Sequence, residues 1–103
     1  MKKNLVLVVH ANMQHGLADQ LRSMACVSGF TFSDVQGHGA RDARDAFLSM
    51  RDKVVGYTPH IRVEILLEDE DIPTVLEQLQ NAVKHARDQG IYWVMPVEQS
   101  GRL

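Results

Sequence analysis

The chain has 103 residues, of which 45% are hydrophobic, and a formal net charge of −2, which suits one compact domain with its own core. Acidic and basic residues are interspersed and form no basic stripe, which argues against nucleic-acid binding. The longest apolar run, Leu5 to Val9, is far shorter than the ~18 residues that cross a bilayer, and a single cysteine excludes an internal disulfide. We therefore expect a single cytoplasmic domain over residues 1–103.

The first third of the chain predicts a strand, a helix and a second strand. Leu5 to Val9 is β-branched and leucine-rich, which is typical of a strand that is apolar on both faces. Asn12 is a candidate helix cap and Gly29 a helix stop. The apolar residues between them recur at helical spacing: Leu17, Leu21, Met24 and Ala25. Phe30 to Gln36 is the next predicted strand, and it ends at Gly37.

A charged excursion from His38 to Tyr57 comes next, and its length in so short a chain indicates a functional or disordered segment. A third strand follows, in which apolar residues alternate with more polar ones: Ile61, Val63, Ile65 and Leu67. Acidic residues from Asp69 to Asp71 favour the start of a second helix, which we expect to end before Gly90. Ile91 to Val97 is the last predicted strand.

The order strand, helix, strand, strand, helix, strand predicts an α+β, ferredoxin-like βαββαβ fold, with two helices on one face of a four-stranded antiparallel sheet. Two helices cover only one face of such a sheet. Yet Val6 and Val8 are as apolar as their neighbours, and Tyr92 and Trp93 point to opposite sides of the last strand. We therefore expect another copy of the chain to cover the second face.

Two sequence blocks carry a family resemblance. The third strand begins with Pro59, Arg62 and Glu64 in a Pro-x-x-Arg-x-Glu pattern, and the last strand ends Met95-Pro96-Val97-Glu98. With the long excursion before them, these blocks resemble the PII signal-transduction superfamily. The ending from Tyr92 to Leu103 more closely resembles an uncharacterised proteobacterial PII-like family.

The resemblance implies a homotrimer in which the segment of about 38–57 is a T-loop and ligands bind in clefts between subunits. It also implies a link to heavy-metal efflux, with a membrane transporter or its regulator as the partner. The residues it marks for ligand or nucleotide binding are Gly37, Gly39, Arg62, Glu64, Arg87 and Arg102. The alternative interpretation of these charged residues is a solvated surface of salt bridges.

One departure from the PII pattern argues against nucleotide binding. PII proteins carry a glycine-rich turn before the last strand, and its backbone N–H groups hold phosphates. Here the stretch from Lys84 to Ile91 contains only Gly90, and a phosphate cradle needs several converging N–H groups. No cofactor is therefore specified by the sequence.

Histidine and methionine residues suggest metal binding as a further possibility. His10, Met13 and His15 lie together between the first strand and the first helix. Thioether with imidazole suits copper, and imidazole alone suits zinc, nickel or cobalt. His38 lies between two glycines, which allow the backbone to bring its ring close to a ligand. The alternative is that all four are surface or capping residues.

No pattern of catalytic residues stands out. Cys26 follows a predicted helix beside apolar residues, which favours an inert buried thiol, and the acidic start of the second helix needs no chemistry to explain it. We therefore expect no enzymatic activity. The leading hypothesis is a trimeric regulatory protein of PII type that senses a metal ion or an anionic metabolite. The alternatives are a metal buffer or chaperone that uses His and Met residues, and a nucleotide-binding PII sensor.

Overall fold

The structure is a computed structural model that describes residues 1–38, 58–84 and 90–103. The described part contains four strands, two α-helices and two short 3₁₀ turns. In chain order these are β1 (Lys2–His10), a 3₁₀ turn (Ala11–Met13), α1 (Gln14–Arg22), β2 (Phe30–Gly37), β3 (Thr58–Glu68), a 3₁₀ turn (Asp69–Asp71), α2 (Ile72–Val83) and β4 (Ile91–Pro96).

The four strands form one antiparallel sheet in the order β2-β3-β1-β4. The central strand β1 pairs with β3 along its whole length, from Lys2 opposite Glu68 to His10 opposite His60. Its other edge pairs with β4, where Val8 lies opposite Ile91. The ferredoxin-like fold predicted from the element order is therefore confirmed. Among the described helices, none is long and apolar enough to cross a membrane.

The first helix differs from its sequence prediction at both ends. A 3₁₀ turn precedes it, and the backbone N–H of Asn12 donates to the Nδ1 of His10 at 3.1 Å, so His10 is the capping side chain. The helix ends at Arg22, well before Gly29, and its last carbonyls are bonded locally: the Ser23 hydroxyl donates to Gln20 and the N–H of Met24 donates to Leu21. Local hydrogen bonds thus replace the predicted Asn12 cap and Gly29 stop.

The hydrophobic core lies between the two helices and one face of the sheet. It includes Leu5, Leu7 and Val9 of β1, Ile61, Val63, Ile65 and Leu67 of β3, Leu17 and Leu21 of α1, and Ile72, Val75 and Leu79 of α2. These positions follow the two-residue repeat of the strands and the helical spacing expected from the sequence. Because the core occupies one side of the sheet, the even-numbered residues of β1 lie on the other side.

We call the sheet face turned away from α1 and α2 the far face. It consists of Asn4, Val6, Val8 and His10 of β1, Thr58, His60, Arg62, Glu64 and Leu66 of β3, Ile91, Trp93 and Met95 of β4, and Thr31, Ser33, Val35 and Gly37 of β2. Val6 has no exposed surface, although both helices lie on the opposite side. A cover for Val6 is therefore present within the chain itself.

That cover is a contact between two side chains from opposite neighbours of β1. The Arg62 guanidinium carbon of β3 lies 5.5 Å from the ring centroid of Trp93 of β4, so the two side chains meet above β1. Val6 lies in register between Glu64 and Trp93, directly beneath this contact. Val6 is therefore already buried in the single chain, where Arg62 and Trp93 meet above its strand, while the expectation that another copy covers the rest of the far face stays a prediction.

Gly90 immediately precedes β4, and its backbone conformation allows the chain to pass close to β1. Its φ is +78°, and a Cβ atom there would lie 2.4 Å from the carbonyl oxygen of Val8. We expect Gly90→Ala to lower the free energy of unfolding by about 2 kcal/mol or more, because it combines a left-handed backbone with a clash against another backbone. Urea unfolding followed by circular dichroism measures the change.

Gly16→Ala is the matched control. A Cβ at Gly16 would have nothing within 4 Å, and the position is exposed within α1. Alanine there should raise the free energy of unfolding by up to about 1 kcal/mol through helix propensity. Equal effects of the two substitutions would contradict the backbone geometry assigned to Gly90.

Candidate functional site

A polar network occupies the centre of the far face. The Nε of Arg62 lies 3.3 Å from Oε1 of Glu64, and the Asn4 side-chain amide donates to Oε2 of Glu64 at 3.0 Å. Both carboxylate oxygens of Glu64 are thus engaged, while the guanidinium also lies against Trp93. Because the Arg62 and Glu64 side chains are each more than one-third exposed, this ion pair contributes little to stability. Its main effect is to hold the guanidinium in place above β1.

Exposed apolar side chains surround this network. Ile91 is 62% exposed, Met95 43% and Leu66 38%, and all three lie on the far face. β4 is an edge strand of the sheet, and its residues on the helix side, Tyr92 and Val94, are also exposed. An edge strand with apolar side chains exposed on both faces is a common feature of contact surfaces.

A second group of far-face residues lies where the chain leaves β2 and returns in β3. Gly37 is paired with Thr58, and the ring of His60 packs directly on Gly37: a Cβ there would fall 2.2 Å from the His60 Nδ1. The rings of His60 and His10 lie with their centroids 5.9 Å apart, inclined by 55°. We call Gly37, Thr58, His60 and His10 the loop stem, because they border both ends of the long segment.

The hydrogen bonds of the loop stem indicate the neutral tautomer of each ring. The Nδ1 of His60 lies 2.8 Å from the carbonyl oxygen of Thr58, which only accepts, so the proton is on Nδ1 and the Nε2 of the neutral ring carries the lone pair. In His10 the Nδ1 accepts from the N–H of Asn12, so the neutral ring carries its proton on Nε2. The two histidines are therefore held in opposite tautomers.

The buried hydroxyl of Thr58 is an exception in this region. Thr58 is 1% exposed, and its Oγ1 has no hydrogen-bond partner, the one such atom among the buried side chains of the described residues. Buried hydroxyls are nearly always paired, since an unpaired one costs about 1–3 kcal/mol. The loop stem thus carries a polar group that the described chain does not satisfy.

The structure separates the residues that the sequence grouped as a metal site. His10 lies on the far face beside His60, whereas Met13 packs against the core on the other side of the sheet. His15 is exposed on α1. Within residues 1–38, 58–84 and 90–103, no three His, Cys, Asp or Glu side chains gather as a metal-binding group. Sequence reasoning missed His60, whose signal was its place on the same strand face as Arg62 and Glu64.

The other predicted residues are also spread over the molecule. His38 is exposed just beyond β2, and Arg102 is exposed in the C-terminal segment. Gly39 and Arg87 lie outside the described residues, as does nearly all of the predicted T-loop segment. Cys26 is half-buried and packs against the core, as expected for a structural thiol. Of the residues predicted to bind a ligand or nucleotide, Arg62 and Glu64 contact each other.

Comparison with known proteins agrees with the fold and identifies the family. A crystal structure of a DUF3240 family protein from Shewanella baltica OS155 is similar over 99% of this chain and 96% of that chain, with a TM-score of 0.78 and 24% identity. The fold is therefore that of a PII-like, ferredoxin-like protein. The family model DUF3240, a protein family of unknown function, matches residues 1–103, and the chain belongs to that family.

Nitrogen regulatory proteins are also similar to this chain. The chain is 26% identical over 78 residues to the nitrogen regulatory protein P-II of Azospirillum brasilense, covering 75% of this chain and 70% of that protein. It is 28% identical over 88 residues to the nitrogen regulatory protein P-II of Rhizobium leguminosarum bv. viciae, covering 82% and 79%. The PII-like resemblance noted in the sequence is confirmed by these matches.

Thr58→Val tests the state of the buried hydroxyl. Because valine has nearly the same shape and no polar group to leave unpaired, we expect the free energy of unfolding to rise by about 1 kcal/mol. Thr31→Val is the control, since Thr31 is an exposed threonine on the same face of the sheet, in β2. Loss of stability in Thr58→Val alone, measured by urea unfolding, would show that the hydroxyl has a partner.

Proposed function

We propose that this protein is a small, non-enzymatic regulatory protein of PII type. It acts as a homotrimer, senses a small ligand that is a metal ion or an anionic metabolite, and contacts a partner such as a metal-efflux transporter through the segment of about 38–57. The similarity to nitrogen regulatory P-II proteins over three-quarters or more of the chain supports the regulatory class.

The observation that supports the proposed homotrimer is the composition of the far face. Its centre is an arginine within cation–π distance of a tryptophan, and its margin is a set of exposed apolar side chains: Leu66, Ile91 and Met95. Arginine, tryptophan and methionine are enriched in protein interfaces, and an exposed apolar patch next to an edge strand favours contact with another protein surface. Copies of the chain that pack these faces together would bury that margin.

The same face offers a route from ligand to partner. Arg62 and His60 are on the same side of β3, so the central network and the loop stem form one continuous surface. A ligand regulates only by binding one conformation more tightly than another. The long segment leaves the sheet after Gly37 and re-enters it at Thr58. A ligand bound at this surface would therefore affect the conformation of these two residues.

A metal buffer that works as a single chain is a weaker alternative. Such a protein needs three or more ligands on one chain, whereas Met13 packs into the core and His15 lies on α1, away from the His10 ring contact with His60. If the function depends on a metal ion, ligands contributed by several copies of the chain are the better explanation.

The assembly is tested by Ile91→Asp. Because Ile91 is largely exposed in the single chain, its substitution should change the stability of the fold by less than about 1 kcal/mol. In a packed far face, however, the new carboxylate would be an unpaired charge in an apolar contact, which costs several kcal/mol. We expect multi-angle light scattering to give a trimer for the wild type and a monomer for Ile91→Asp.

Gln78→Asp controls for the added charge. Gln78 is exposed on α2, so the same charge is placed on the side of the molecule away from the proposed interface. This variant should remain a trimer. A monomeric wild type, or a trimer unaffected by Ile91→Asp, would refute the far face as the interface.

Adenine nucleotides should bind weakly. Arg62 is engaged by Glu64 and Trp93, and the stretch before β4 has one glycine with which to form a phosphate-binding turn. We expect a dissociation constant for ATP no tighter than about 100 μM, equivalent to about 5.5 kcal/mol, by isothermal titration calorimetry. Low-micromolar binding would instead support the nucleotide-sensing alternative.

A further inference from the structure

We propose that His10 and His60 of neighbouring copies together form a binding site for a divalent metal ion of the zinc type, at the loop-stem end of the far face. This inference rests on the proposed homotrimer and assigns a ligand class and a location to its sensing function. It starts from a pair of imidazoles, those of His10 and His60, that the structure brings together on the far face.

His60 has the surroundings of a metal ligand. A histidine that binds metal through one ring nitrogen commonly donates the other N–H to a backbone carbonyl, which fixes both the tautomer and the direction of the ring. The Nδ1 of His60 makes this bond with the Thr58 carbonyl at 2.8 Å, and the ring is braced from below by Gly37. In this tautomer the lone pair lies on Nε2, the ring nitrogen through which His60 would bind a metal ion.

The distance between the two rings suits a shared metal ion. Two imidazoles bound to one zinc at Zn–N distances of ~2.1 Å have their ring centroids about 5–6 Å apart. The centroids of His10 and His60 are 5.9 Å apart. One ion could therefore contact both rings with small side-chain movements.

Within the part of the chain that the structure describes, one copy supplies two ligands to this site. Zinc sites use three or four protein ligands, and the described residues of one chain contain no third His, Cys, Asp or Glu beside this pair. Both histidines lie on the far face, which is the proposed contact surface between copies. A symmetric assembly repeats each pair at the same height along its axis, and in the proposed site the pairs of neighbouring copies meet near that axis, where a second copy supplies the remaining ligands.

The donor atoms define the class of metal. The pair offers imidazole nitrogen and no thiolate, and the thioether of Met13 packs into the core on the opposite side of the sheet. Imidazole suits zinc, nickel, cobalt and copper(II), whereas copper(I) prefers sulfur ligands. The unpaired hydroxyl of Thr58, two residues from His60 on the same face, adds a polar group that could bond a metal-bound water.

Metal coordination by His10 would break a hydrogen bond that its ring makes in the metal-free chain. Its Nδ1 accepts the N–H of Asn12, which leaves the proton of the neutral ring on Nε2. To bind a metal through Nε2, the ring must move this proton to Nδ1, and the bond with Asn12 is then lost. Metal binding should therefore release the Asn12 amide at the start of the 3₁₀ turn, an effect that adventitious binding at surface histidines would not produce.

The experiment titrates zinc chloride into the full chain by calorimetry, with the mass measured in parallel by light scattering. We expect the wild type to bind fewer than one zinc per chain, as a shared site requires. His60→Gln and His10→Gln should each weaken binding at least about tenfold, because each removes a ligand. His15→Gln removes an exposed histidine on α1 and should bind zinc as the wild type does.

A second readout keeps the proposal falsifiable if a variant folds poorly. In the wild type, zinc should shift the amide resonance of Asn12 and increase its hydrogen exchange, while the amides within α2 stay unchanged. A trimer that binds no zinc, or binds it equally in His60→Gln and His10→Gln, would overturn the metal site but leave the assembly intact. A wild type that is monomeric with and without zinc would overturn both.

Discussion

One constraint governs this structure: two helices can cover only one face of a four-stranded sheet. The core fills the helix side, and the apolar centre of β1 on the other side still needs to be shielded from water. Arg62 and Trp93 provide this shield by meeting above β1 from its two neighbouring strands. Val6 is thereby completely buried in the single chain, at the far face of its own sheet.

Because Arg62 and Trp93 shield the centre of β1, the far face can contact another protein surface without being a second hydrophobic core. A guanidinium beside an indole shields apolar surface while remaining partly hydrated, and Glu64, itself bonded by Asn4, holds the guanidinium in position. The surrounding Leu66, Ile91 and Met95 stay exposed. Such a face is compatible with a folded single chain and also with burial against another copy, which is what a regulatory assembly needs.

The loop stem joins this face to the segment that we propose to contact a partner. The ring of His60 contacts Gly37, the last residue of β2, and bonds the carbonyl of Thr58, the first residue of β3, in addition to the ladder that pairs these two residues. The same ring lies beside His10, which caps the turn into α1. Two histidines thus connect three parts of the chain, and a ligand that moves either ring would act on all of them.

The sequence by itself determined the element order, the ferredoxin-like fold and the PII-like family, because strand and helix periodicity and short motifs are local properties. It also placed Arg62 and Glu64 on one side of their strand. It could not show that Trp93 reaches Arg62 over β1, that His60 joins His10, or that Met13 separates from His10, since each depends on strand order and register. Only the tertiary structure decided the two contacts, because each joins residues far apart in the chain, and only the fold shows that Met13 faces the core while His10, three residues earlier, lies on the far face.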